Sequence, residues 1–87
     1  MRYEIEFRPS ARKELLALPR RDQVRVGRSV EKLADEPRPA GVKKLEGADD
    51  LYRIRAGDYR VIYQIQDAVL VVLVVRIGHR RDVYRRK

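Results

Sequence analysis

A chain of 87 residues with a net charge of +8 and no cysteine has few options. It can build one domain with a modest core, and it excludes a disulfide framework or a thiolate metal site. Nothing in it reads as a signal peptide, and the longest apolar run, residues 68–75, is far too short to cross a bilayer.

The charge is uneven. Residues 1–50 carry 12 Lys/Arg against 10 Asp/Glu, whereas residues 51–87 carry 9 against 3, and eight of those nine are arginine. Such asymmetry favours a polyanion partner, and a guanidinium fork matches two phosphate oxygens at once. No helix pairs a broad apolar face with a lysine-rich one, so a membrane surface is not expected as partner. The lack of cysteine fits a reducing compartment, and a cytoplasmic location is expected.

Along the chain, Tyr3, Ile5 and Phe7 alternate with Glu4 and Glu6, the period of a strand with one buried face. Pro9 disfavours helix at Arg8 but suits a first helical turn. A short helix is expected from there, with Ala11, Leu15 and Leu18 on one stripe and Leu16 beside it. Pro19 breaks it and starts a second helix, over about residues 20–35, with Val26, Val30, Leu33 and Ala34 buried and Val24 near its start. Gly27 suggests a close approach of the two helices. Arg20, Arg21, Arg25, Arg28 and Lys32 read as a solvated face. Residues 36–41 (EPRPAG) form a loop, residues 42–45 (VKKL) a short extended piece, and residues 47–50 (GADD) a turn.

Residues 51–66 (LYRIRAGDYRVIYQIQ) read as a β-hairpin. Apolar and polar residues alternate on both sides of Gly57-Asp58, and Gly first in a two-residue loop suits a type II′ turn. That turn sets Ala56 opposite Tyr59, Arg55 opposite Arg60, Ile54 opposite Val61 and Arg53 opposite Ile62. Arg53, Arg55 and Arg60 then share the face away from Tyr52, Ile54, Val61 and Tyr63. Like charges set opposite each other destabilise a sheet, so this placement points to a preformed anion site, above all for phosphate.

Residues 69–77 are apolar at both parities until Arg76, which suits a strand inside a sheet. Arg76 is expected on the side of Leu70, Val72 and Val74, and Gly78 is expected to end the strand. Residues 79–87 (HRRDVYRRK) close the single domain, residues 1–87, as a basic tail that Val83 and Tyr84 can dock.

The stretches LYRIRAGDYRVIYQI and VVRIGHRRDVYR resemble the RelE/ParE superfamily of toxins, and within it the RelE-like branch. The similarity covers nearly the whole chain. It includes the β-α-α-β-β-β order, Lys44-Leu45 before a glycine turn, the Gly-Asp-Tyr-Arg hairpin, and the Gly-x-Arg motif at residues 78–80. The resemblance implies an α+β fold, with a two-helix hairpin packed on one face of a curved, mostly antiparallel four-stranded sheet. It implies the toxin of a type II toxin–antitoxin pair, cutting messenger RNA in the ribosomal A site. It also implies a cognate antitoxin and a toxin–antitoxin hetero-oligomer. The superfamily includes gyrase poisons as well. Gyrase inhibition without nuclease activity, or a catalytically weak RNA- or antitoxin-binding module, therefore stays open.

Carried over by position, the functional residues fall on Arg53, Arg55, Arg60, Arg80 and Tyr84. Lys43, Lys44, His79, Arg81 and Arg85 are expected to add RNA contacts. In RelE-like cleavage the nucleophile is the RNA's own 2′-hydroxyl, so neither a protein nucleophile nor a metal or other cofactor is expected. Arg53, Arg55 and Arg60 would hold the developing phosphate charge, and Arg80 the phosphate or the leaving oxygen. Tyr84 would stack on a displaced base or donate a hydrogen bond. The best-known family pattern has lysines where this chain has Arg53 and Arg55. A lysine crowded by cations can act as a base, and arginine effectively cannot. Tyr84 and His79 are the candidates left for that role.

Overall fold

The computed structural model describes residues 2–45, 47 and 50–79. Among the described residues seven elements follow one another: β1 (Glu4–Phe7), α1 (Pro9–Leu16), α2 (Arg20–Lys32), β2 (Lys43–Lys44), β3 (Leu51–Ala56), β4 (Tyr59–Gln66) and β5 (Val71–His79). The strands form one sheet in the order β1-β5-β4-β3-β2. β1 runs parallel to β5, and every other pairing is antiparallel. The α+β class, the two helices and the mostly antiparallel sheet are as expected. The sheet has five strands rather than four, because the extended piece at Lys43–Lys44 forms a short ladder with Tyr52 and Arg53.

Local sequence explains the helices. Arg8 is extended and Pro9 occupies the first turn of α1; Pro19, also extended, precedes α2. Proline costs nothing there, since the first helical N–H groups have no partner within the helix. Ala11 from α1, Val26 and Val30 from α2, and Leu33 just beyond it pack on Ile54, Val61, Tyr63, Ile65, Val72, Val74 and Ile77. Each fully buried aliphatic side chain contributes roughly 1.5–3 kcal/mol. Leu15 and Leu18 pack at the margin of this core, whereas Leu16 and Val24 are exposed. Gly27 does not mark a close helix approach, because a Cβ built there meets nothing within 4 Å. No described helix is long and apolar enough to cross a membrane.

β5 departs from expectation at both ends and in its middle. It begins at Val71 rather than Val69, since residues 67–70 form a turn with Leu70 at φ 56° and Val69 exposed. It also runs through Gly78 to His79. Within it, β4 residues Ile62 and Tyr63 pair with Arg76 and Val74, so Val75 is an extra residue, a β-bulge. The bulge inverts the parity. Val72 and Val74 face the helices before it, and Ile77 does so after it. Arg76 therefore joins the row of Ile62 instead of that of Val72 and Val74. Past the bulge β5 has lost β1, whose pairing ends at Phe7 opposite Val74. Glu14 of α1 takes over, accepting the Ile77 N–H at 2.7 Å and the Arg76 Nε–H at 3.3 Å.

Tyrosines close one end of the sheet. Tyr52 and Tyr63 stack with centroids 6.0 Å apart, and the Tyr63 hydroxyl donates to the Pro37 carbonyl at 2.7 Å. Burial pushes the Tyr63 phenol well above its ordinary value. Arg38 lies over the Tyr52 ring and donates to Asp67 at 2.9 Å, and the Tyr3 hydroxyl donates to the same carboxylate at 2.6 Å. Arg38 first and Tyr3 second hold the Asp67 carboxyl below its usual range.

Candidate nucleic-acid interface

The β3–β4 hairpin has the expected register: Ala56 opposite Tyr59, Arg55 opposite Arg60, Ile54 opposite Val61 and Arg53 opposite Ile62. Gly57 has φ 65° and Asp58 lies outside the positive-φ region, as a type II′ turn demands. In such a hairpin the pair flanking the loop exchanges both hydrogen bonds, and the next pair exchanges none. Arg55 and Arg60 form that second pair, in which the Cα atoms come within about 4.5 Å and the side chains are closest.

Cross-strand partners share a face, so register alone sorts the cations. Lys43 is opposite Arg53, and Arg53 is opposite Ile62. Arg60 is opposite Gly78, which brings no side chain to that row. Lys43, Arg53, Arg55 and Arg60 thus share the sheet face away from the helices, and Arg76, opposite Ile62, shares their row parity but gives its Nε–H to Glu14 at 3.3 Å. Lys44 pairs with Tyr52 and His79 with Tyr59, which places both on rows of the other face. Arg80, Arg81, Tyr84 and Arg85 lie outside the described residues. Among those described, no three His, Asp or Glu side chains gather to hold a metal ion.

The hairpin is held from behind by residues that carry no signal in the sequence. Tyr59, next to the loop, donates its hydroxyl to Asp22 of α2 at 3.1 Å. Burial first, then Asp22, push the Tyr59 phenol above its ordinary value. The Tyr59 and His79 rings meet edge to face, with centroids 5.9 Å apart. Arg25, also on α2, covers Gly57 so closely that a Cβ there would sit 2.7 Å from its Nη1. Asp22 and Arg25 are 37 and 32 residues away from the groups they touch. Sequence spacing has no means of linking them.

Residues 5–84 match the family of ParE toxins of the type II toxin–antitoxin system parDE. The chain belongs to the RelE/ParE toxin family. A RelE-like toxin protein of Escherichia coli, itself named as putative, is 38% identical over 97% of this chain and 92% of its own. A second Escherichia coli protein, named mRNA interferase toxin RelE, is 32% identical over 97% of this chain and 92% of its own. In the crystal structure of the RelE–RelB complex from Pyrococcus horikoshii, a chain 35% identical superposes with a TM-score of 0.80, over 92% of this chain and 97% of that one. This member of the RelE/ParE family is thus RelE-like both in sequence and in the layout of its sheet.

Proposed function

We propose that the protein is the toxin of a toxin–antitoxin pair, that it forms a hetero-oligomer with its antitoxin, and that it cleaves messenger RNA in the ribosomal A site. The observation that carries the cleavage reading is the convergence of Lys43, Arg53, Arg55 and Arg60 on the sheet face away from the helices. The relative named as an mRNA interferase supports the reaction type.

In this reading the RNA's 2′-oxygen attacks the adjacent phosphorus as its proton is removed. The bond from phosphorus to the 5′-oxygen breaks, and that oxygen takes up a proton. The products are a 2′,3′-cyclic phosphate and a 5′-hydroxyl. Charge builds on the non-bridging oxygens at the transition state, and Arg53, Arg55 and Arg60 meet it there. A guanidinium stays protonated throughout, so these three supply charge and not proton transfer. Arg80 serves the phosphate or the leaving oxygen. His79 stands on the Tyr59 row, away from the arginines, which favours Tyr84 as the base. Lys43 extends the phosphate track beside Arg53.

Inducing the protein and mapping RNA ends on translating ribosomes tests this. Codon-phased cuts are expected, and Arg60→Ala or Arg80→Ala should slow them by about 10²–10³-fold, the usual loss when one charge-stabilising donor is removed. Intact RNA together with stalled gyrase–DNA complexes would overturn cleavage in favour of gyrase poisoning.

A further inference from the structure

The cation rows of the sheet continue one strand further, onto β5. Lys43 is opposite Arg53, Arg53 opposite Ile62, and Ile62 opposite Arg76, so three cations and an isoleucine make one row across four strands. Neighbouring strands lie about 4.7–4.9 Å apart, which puts Arg76 roughly 10 Å from Arg53. Arg60 is opposite Gly78, two residues after Arg76. Arg60 and Arg76 are therefore diagonal neighbours on one face, about 7–8 Å apart. Gly78 leaves the backbone bare beside them. The bulge at Val75 is what brings Arg76 to this face.

Arg76 is anchored at one edge of its guanidinium only. Glu14 of α1 reaches it where β5 has lost β1, with one carboxylate oxygen on the Ile77 N–H at 2.7 Å and the other on the Arg76 Nε–H at 3.3 Å. Among the described residues, the two Nη groups of Arg76 meet no acceptor at hydrogen-bond distance. The side chain is 44% exposed. An arginine that served only an ion pair would gain more by turning two parallel N–H groups to the carboxylate. Glu14 takes one N–H of five and leaves the Nη fork for a second anion.

We propose that Arg76 is a further RNA-binding residue, which grips a phosphate flanking the scissile one through its Nη fork. Arg53, Arg55 and Arg60 gather on the hairpin, and Arg76 stands one strand beyond Arg60, where the RNA chain continues past the cleavage point. The anchor on Glu14 limits the side-chain freedom that binding would otherwise cost. An antitoxin carboxylate would fit the same fork, but the continuity of this row with Arg53 and Lys43 favours a phosphate chain. The inference rests on the mRNA-cleavage reading above and adds a contact to it.

The test titrates full-length toxin onto ribosomes whose A-site codon carries a 2′-methoxy group at the cleavage position, which blocks attack. Arg76→Gln keeps an amide N–H for Glu14 but loses the charge and the fork. It is expected to weaken binding about tenfold, the loss of one charge-assisted contact. The slope of log K against log salt should become shallower by about 0.7, the value for one phosphate of a single strand. Arg76→Lys, which restores the charge without the fork, should fall between the two and serves as the second variant should Arg76→Gln unfold. Replacing one of the two phosphates that flank the scissile one by a neutral methylphosphonate should weaken the parent by a similar factor and leave Arg76→Gln unchanged. Affinity and salt slope equal to the parent's in both folded variants would overturn the inference. So would a methylphosphonate penalty as large in Arg76→Gln as in the parent, which would assign the contact to ribosomal RNA. A loss confined to binding of the cognate antitoxin would overturn it in favour of that partner. A parent toxin that does not bind these ribosomes would overturn the cleavage reading itself, and the inference with it.

Discussion

Asp22 on α2 accepts a hydrogen bond from Tyr59 at 3.1 Å, one residue from the Arg55–Arg60 pair. This contact ties the tip of the arginine hairpin to the helical layer. Removing the hydroxyl as Tyr59→Phe should cost about 0.5–1.5 kcal/mol, and Asp22→Asn somewhat less, because an amide oxygen can still accept. In a double-mutant cycle the two changes should be non-additive, as expected for groups in direct contact. Denaturant titration of the four proteins measures this. Strict additivity would mean that the bond contributes nothing.

Arg55 and Arg60 face each other in the pair where side chains lie closest. Neutralising one of them should therefore raise stability while weakening the anion site. Arg55→Gln is expected to gain a few tenths of a kcal/mol, within the roughly 0.2–1 kcal/mol span of cross-strand pairs, and the gain should shrink as salt is added. Its affinity for single-stranded RNA should fall, with a shallower salt slope. A loss of stability would show that the two guanidiniums do not repel in the folded state.

Gly27 sits inside α2 with open space where a side chain would begin. Gly27→Ala should stabilise the fold by about 0.5–1 kcal/mol, since alanine costs less to order in a helix. For a chain of this size that is a rise in Tm of several degrees, roughly 4–8 °C per kcal/mol. Thermal unfolding followed by circular dichroism gives the answer, and an unchanged or lower Tm would contradict it.

The Asp67 carboxyl is held below its usual range by Arg38 and Tyr3. A carboxyl with a lowered pKa in the folded state stabilises the protein above its unfolded pKa. That contribution is lost as pH falls from the ordinary aspartate range through the lower folded value. Tyr3 behaves in the opposite sense. Its phenol is raised, by Asp67 first, so its contribution holds below the ordinary tyrosine pKa and is lost as pH climbs through the folded value. Asp67→Asn should flatten both limbs of the stability profile. Urea unfolding from acid to alkaline pH would show this, and a profile identical to the parent's would remove Asp67 from it.

Much of this architecture follows from local rules. Alternation marked β1, β3 and β4, prolines marked the helix starts, and Gly57-Asp58 marked the turn. From that turn alone the register placed Arg53, Arg55 and Arg60 on one face, because a two-residue loop leaves no freedom in the pairing. Those are short-range effects, legible wherever the causative residues are neighbours in the chain.

The tertiary structure decided what depends on residues distant in sequence. The bulge at Val75 is invisible in an apolar run, and it is what moves Arg76 to the row of Ile62 and Ile77 into the core. Lys43 and Lys44 look equivalent as a dipeptide, yet pairing with β3 sends them to opposite faces. His79 falls on the Tyr59 row for the same reason. Asp22 and Arg25 gain their roles only when α2 is laid against the sheet, since packing brings together groups that no periodicity connects.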